Sequence, residues 1–143
     1  YQNRVAFFHI LADYFSLLPT ASVTSYGAPC QSTVLTGAVT PSGTGHQATL
    51  DFAGAPANAV GFMLLGFQQA TTPLPAPWQP CLLRTSLDAT VLVAVNALGM
   101  GQYAFLLPNW PGLAVNAQVF TADFALPAVP VDTSNGVQVR NDY

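Results

Sequence analysis

Beyond its first 20 residues the chain runs as short apolar stretches separated by turn residues, too closely spaced for long helices. Its 11 Gly and 12 Pro recur throughout, and an interior proline costs a helix one hydrogen bond and clashes with the preceding turn. The intervening runs are rich in β-branched and aromatic residues. They predict strands over Ser32–Ala38, His46–Ala53, Ala59–Phe67, Cys81–Thr85, Ala89–Ala97, Gln102–Leu106, Ala114–Ala122 and Gly136–Asn141. Two of these alternate with period two. Ala48, Leu50 and Phe52 form the inward set of one, and Val115, Ala117, Val119 and Thr121 that of the other. Gly61 to Leu65 and Thr90 to Val95 are nearly unbroken apolar runs, the pattern of central strands buried on both faces. Turns fall at Pro41-Ser42-Gly43, Gly54-Ala55-Pro56, Asn109-Trp110-Pro111-Gly112 and Asn135-Gly136. Thr71 to Pro80 holds too many prolines for a central strand and is expected as an extended surface crossing between sheets. The whole predicts an all-β chain, an immunoglobulin-like antiparallel β-sandwich of about seven or eight strands.

Composition narrows the function classes. Of 143 residues only 6% are charged while 51% are hydrophobic, against about 25% charged in an average soluble domain. Every cation is an arginine (Arg4, Arg84, Arg140), every anion an aspartate, and the net charge is −3. No cation cluster exists to displace counterions from phosphate, so nucleic acid is not an expected partner. Low hydrophobicity and high charge mark disorder, and both are reversed here. A surface so poor in charge suits a protein that associates or that carries sugars. No Asn-x-Ser/Thr sequon occurs, while Ser and Thr are plentiful, which leaves O-linked glycans open. No apolar stretch reaches the length of a membrane span. The first residue is Tyr1, with no Met and no basic leader beside it, so a processed mature chain is expected.

Cys30 and Cys81 lack CxxC spacing and have no ligand cluster around them, which argues against zinc. In an exported protein they would close one disulfide loop of about 50 residues, worth about 4 kcal/mol by chain entropy. In a reducing compartment they would be two buried thiols.

A family resemblance bears on that choice. Tyr26-Gly27-Ala28-Pro29-Cys30 is followed by Gly54-Ala55-Pro56-Ala57-Asn58-Ala59 and Met63-Leu64-Leu65-Gly66-Phe67. Then come Leu74-Pro75 with Cys81, and Pro111-Gly112-Leu113 running into Ala117-Gln118. In this order the motifs resemble an exported β-sandwich domain of planctomycete-type bacterial proteins, one that opens on Tyr-Gly-x-x-Cys. The resemblance runs from Tyr26 onward. It implies export, a disulfide and a sandwich spanning residues 26–143, and it implies no enzymatic activity. Residues 1–25 fall outside it as an N-terminal extension.

The extension carries the functional expectation. Val5, Phe7, Phe8, Ile10 and Leu11 represent at most about 7–15 kcal/mol of burial, so something must cover them. Three readings compete: a strand of the chain's own sandwich, a helix with His9, Asp13 and Ser16 as its polar stripe, or a strand donated to another copy. The third resembles donor-strand exchange in bacterial pilus subunits. As a strand, Phe8 and Ile10 would point one way, flanked by Ala6 and Ala12, with Val5, Phe7 and Leu11 pointing the other. Leu17 to Ser22 would be the linker. Donation of this kind is head-to-tail and gives an open polymer.

Candidate chemistry is sparse. His46, Asp51 and Ser42 lie around one predicted strand, but positions 46 and 51 have opposite parity and no Gly-x-Ser-x-Gly elbow is present. Gly43 to Ala48 matches a dinucleotide fingerprint by letters alone, yet a strand follows where a helix is required, so it reads as a hairpin turn. Two His and no Glu leave little for acid–base or metal chemistry, and neither catalysis nor a cofactor is expected. Asp132 to Gly136 could offer oxygens to calcium but reads as an Asx turn. Trp78 and Trp110, both beside prolines, are candidates for a sugar-stacking platform. The expectation is therefore a non-enzymatic subunit of an extracellular, pilus-like fibre that polymerises with itself. The alternative is a secreted carbohydrate-binding or adhesin module.

Overall fold

A computed structural model describes residues 20–142. The expected donor strand, Val5, Ala6, Phe7, Phe8, Ile10, Leu11 and Ala12, lies outside the described residues. The described chain is an all-β, antiparallel sandwich with eleven strands. In chain order these are β1 (Ala21–Tyr26), β2 (Val34–Ser42), β3 (Gly45–Ala53), β4 (Val60–Gly66), β5 (Gln69–Pro73), β6 (Leu82–Thr85), β7 (Ala89–Ala94), β8 (Gly101–Pro108), β9 (Ala114–Ala122), β10 (Val131–Thr133) and β11 (Gly136–Asn141). Six strands form one sheet in the order β1-β11-β9-β4-β7, with β10 also on β9; β2-β3-β8 form a second sheet, and β5-β6 a separate hairpin.

All eight strands expected from periodicity are present, and β9 and β11 keep their expected limits. Three strands exceed the expected count, each for a physical reason. β1 is mostly Ser, Thr and Ala with little apolar signal, and its pairing with β11 from Ala21↔Asn141 to Tyr26↔Gly136 supplies the order. Residues 21–25, which the sequence reading assigns to the extension and its linker, are thus part of the sheet. β10 has three residues, too few to show a period. β5 occupies the start of the proline-rich stretch and pairs with β6. That stretch does not cross between the sheets as expected; its hairpin lies against the outer face of the six-stranded sheet.

The main core fills the space between the two sheets. Leu35, Leu50, Phe52, Met63, Leu107, Val119, Val137 and Val139 are all buried there. The inward set of β3 is as its alternation requires, and the β2–β3 turn places Gly43 at φ 55°, the left-handed value a two-residue hairpin needs. β4 is central, between β9 and β7. β7 is not: among the described residues it pairs only with β4, and Leu92 is 69% exposed on its outer face. Its apolar run reflects an edge strand, contrary to the expectation of a central one.

On the outer face, β9 turns polar residues toward the hairpin rather than to solvent. Gln118 is fully buried. Its Oε1 accepts the Arg84 N–H at 2.8 Å, and its Nε2 donates to the carbonyls of Leu82 (2.9 Å) and Ser134 (2.8 Å). One amide thereby satisfies three backbone groups that the layer would otherwise bury unpaired.

Candidate functional site

The registers give the sandwich two distinct ends. Ala21, Asn141, Ala114, Gly66 and Ala89 lie at one, Tyr26, Gly136, Ala122 and Ala94 at the other. Asn141 Nδ2 donates to the Pro108 carbonyl at 2.7 Å, which fixes the close of β8 at the Ala21 end. Thr20 is there too, its carbonyl accepting the Asp142 N–H at 2.9 Å.

The expected disulfide forms. Cys30 and Cys81 are bonded, with Cα atoms 5.0 Å apart, in a second small core with Leu74, Ala122 and Val131. It ties the segment after β1 to the start of β6 at the Tyr26 end. Trp78 packs in this cluster and its Nε1 donates to the Val129 carbonyl at 3.1 Å. Trp110 is 65% exposed in the β8–β9 turn, at the Ala21 end. The two indoles therefore lie at opposite ends and make no shared platform: Trp78 is a packing residue, and Trp110 stands alone.

The other candidate groups also resolve into structural roles. His46 is buried on the inward face of β3, whereas Asp51 is exposed and accepts from Gln102 Nε2 at 2.7 Å; their opposite parity holds. Asp132 does not form a local Asx turn. Its carboxylate accepts the N–H groups of Gln31 (2.9 Å), Ser32 (3.2 Å) and Thr33 (2.8 Å), about 100 residues away in sequence. Asn135 likewise clamps Leu35, accepting its N–H and donating to its carbonyl, both at 2.9 Å. These oxygens are committed to backbone amides. Among the described residues no group of three or more His, Cys, Asp or Glu could hold a metal.

What stands out instead is one flank of the sandwich. On the β1/β2 flank the sheets close tightly: a Cβ at Gly37 would lie 3.0 Å from Val23 and 3.1 Å from Val137. On the β7/β8 flank they splay. Among the described residues β8 pairs only with β3 and β7 only with β4, so each presents a free backbone edge. The two strands meet at the Tyr26 end, where a Cβ on Gly101 would strike the Ala94 carbonyl and the Phe52 ring. Toward the Ala21 end they part around a cavity of about 320 Å³ lined by Leu65, Gly66, Phe67, Ala89, Phe105 and Val115, with Asp88 at its rim. Tyr103 and Phe105 point inward from β8, stacked with ring centroids 6.2 Å apart, yet both are only half-buried. Leu106, on the opposite face of β8, is 64% exposed. The lining is apolar. Asp88 is occupied in closing its own turn, accepting from Ser86 Oγ (2.6 Å) and the Phe67 N–H (2.8 Å), and these bonds hold its carboxyl below the usual range.

Sequence reasoning placed a strand over Gln102–Leu106 but assigned it no role. The available signal was its two aromatics at i and i+2 beside a third large apolar position, more inward bulk than an edge strand can cover. Comparison with known proteins finds no matching family model, no matching curated protein and no matching solved structure.

Proposed function

We propose that this protein is a structural subunit of an extracellular, pilus-like fibre, polymerised by donation of its N-terminal strand to another copy. The observation that carries the reading is the β7/β8 flank: inward-facing aromatics only partly buried, beside a strand edge that has no partner among the described residues. A sandwich in this state lacks both main-chain partners and a strip of core along one side. The segment Val5–Ala12 has the composition to supply both. The disulfide fits an oxidising compartment, and among the described residues no helix is long and apolar enough to cross a membrane. The scarcity of charge fits a surface buried in an assembly. Trp78 and Trp110 lie at opposite ends, so a sugar-binding module would have to rest on the exposed Trp110 alone.

Negative-stain microscopy and light scattering of the purified full chain test this. Regular filaments that disappear when residues 1–18 are deleted are expected. A monodisperse monomer with and without that segment would overturn the reading.

A further inference from the structure

We propose that the acceptor site is the free edge of β8, and that it takes Val5–Ala12 of a second copy, running antiparallel to β8 with His9 opposite Ala104. This rests on the donated-strand reading above and adds to it the site, the register and the polarity.

The register follows from matching bulk. The inward positions of β8 are Gly101, Tyr103, Phe105 and Leu107. At Leu107, already buried, and at Gly101, where β8 meets Ala94, there is no room for a large neighbour. Between them Tyr103 and Phe105 are only partly buried, and Phe105 lines the cavity. The segment has the complementary profile: small, large, large, small at Ala6, Phe8, Ile10 and Ala12. With His9 opposite Ala104, the two large side chains fall on the open stretch and the two alanines on the closed ones. The same register turns the polar His9 outward. It also sets Phe7 against Leu106, giving that exposed leucine an apolar cross-strand partner.

Polarity decides which copy supplies the strand. Every strand pair among the described residues is antiparallel. β8 runs toward the Ala21 end, so an antiparallel partner finishes, at Ala12, beside Gly101 at the Tyr26 end. Thr20 of the same chain is at the Ala21 end, on the opposite flank. The separation is about 25 Å along the strands and about 15 Å across the sandwich. The eight residues from Ala12 to Thr20 reach at most about 29 Å when fully stretched. They would need that whole length to pass straight through the core and cannot go around it. The antiparallel strand must therefore come from another molecule. This joins the Ala21 end of the donor to the Tyr26 end of the acceptor, a head-to-tail contact that repeats.

Paired cysteines in the full chain test site, source and polarity together. Directly opposed residues on neighbouring strands lie within disulfide reach. The double variant H9C/A104C, oxidised and run without reductant, should give a ladder of covalent multimers that single variants do not give. L11C/Q102C should give the same ladder and L11C/L106C should not. A cross-link confined to monomers would mean own-chain insertion and overturn the proposal. The reverse preference, for L11C/L106C, would overturn the polarity and with it the argument for a second copy. Filaments by microscopy without any ladder would overturn this acceptor site while leaving the polymer reading standing. Neither filaments nor ladder would overturn both.

Discussion

The two flanks of the sandwich are built from the same alternating strands and end in opposite states. At the β1/β2 flank Gly37 lies close against Val23 and Val137, Leu35 on the same face of β2 is fully buried, and the sheets approach closely. At the β7/β8 flank the inward Tyr103 and Phe105 are only partly buried, and Phe105 lines a cavity between the sheets. An open flank is stable only if its apolar surface is covered, since each large side chain left in water forgoes about 1.5–3 kcal/mol of burial. The closed flank should accordingly govern the stability of the isolated molecule, and the open one its association.

Core truncation gives the largest effect that would sharpen this contrast. Leu50 touches the Gly37 region and is fully buried, so Leu50→Ala should cost about 2–5 kcal/mol in denaturant unfolding of the monomeric form. Phe105→Ala on the open flank should cost the monomer less, about 1–2 kcal/mol, yet abolish assembly by light scattering. A larger monomer loss at Phe105 than at Leu50 would break the comparison.

A smaller effect concerns the tie between β1 and the outer hairpin. The Tyr26 ring packs where a Cβ on Gly136 would sit, and its hydroxyl donates to the Arg84 carbonyl at 2.9 Å. Tyr26→Phe should cost about 1 kcal/mol. Burial pushes the Tyr26 phenol up to about 12, with Arg84 acting in the opposite direction. Below pH 10 the phenol is neutral in folded and unfolded chains alike, and the full stability is present. Between about pH 10 and 12 the unfolded chain ionises first, so stability is lost as pH rises. Unfolding followed across this range should show that alkaline decline in the parent chain and a weaker one in Tyr26→Phe. Smallest of all, Leu106→Ser should change monomer stability by no more than about 0.5 kcal/mol while weakening assembly measured by sedimentation.

The sequence made much of the sandwich legible. Strands β9 and β11, and the inward set Ala48, Leu50 and Phe52, follow from period-two patterning and turn residues alone. The outer layer was not legible, because its contacts run through polar groups. Gln118 reads as solvent-facing by alternation, but a primary amide can satisfy backbone N–H and C=O together and so be buried against a hairpin. Asp132 and Asn135 read as local turn residues, and their partners prove to be about 100 positions away. Pattern rules carry no information on such pairings. β7 shows a related limit: Thr90 to Val95 has the apolar run of a central strand, and only the sheet order reveals that it sits at an edge. For the same reason Tyr103 and Phe105 read as ordinary core residues until the sheet order shows β8 paired, among the described residues, with β3 alone.

Amide hydrogen exchange over β8, Gly101–Pro108, is the most direct test of whether another molecule covers the open flank. The account predicts that protection of its free-edge amides rises with protein concentration in step with assembly, and is absent in chains lacking residues 1–18. Protection of those amides that is already complete in dilute monomers, or that never appears in assembled material, would contradict it.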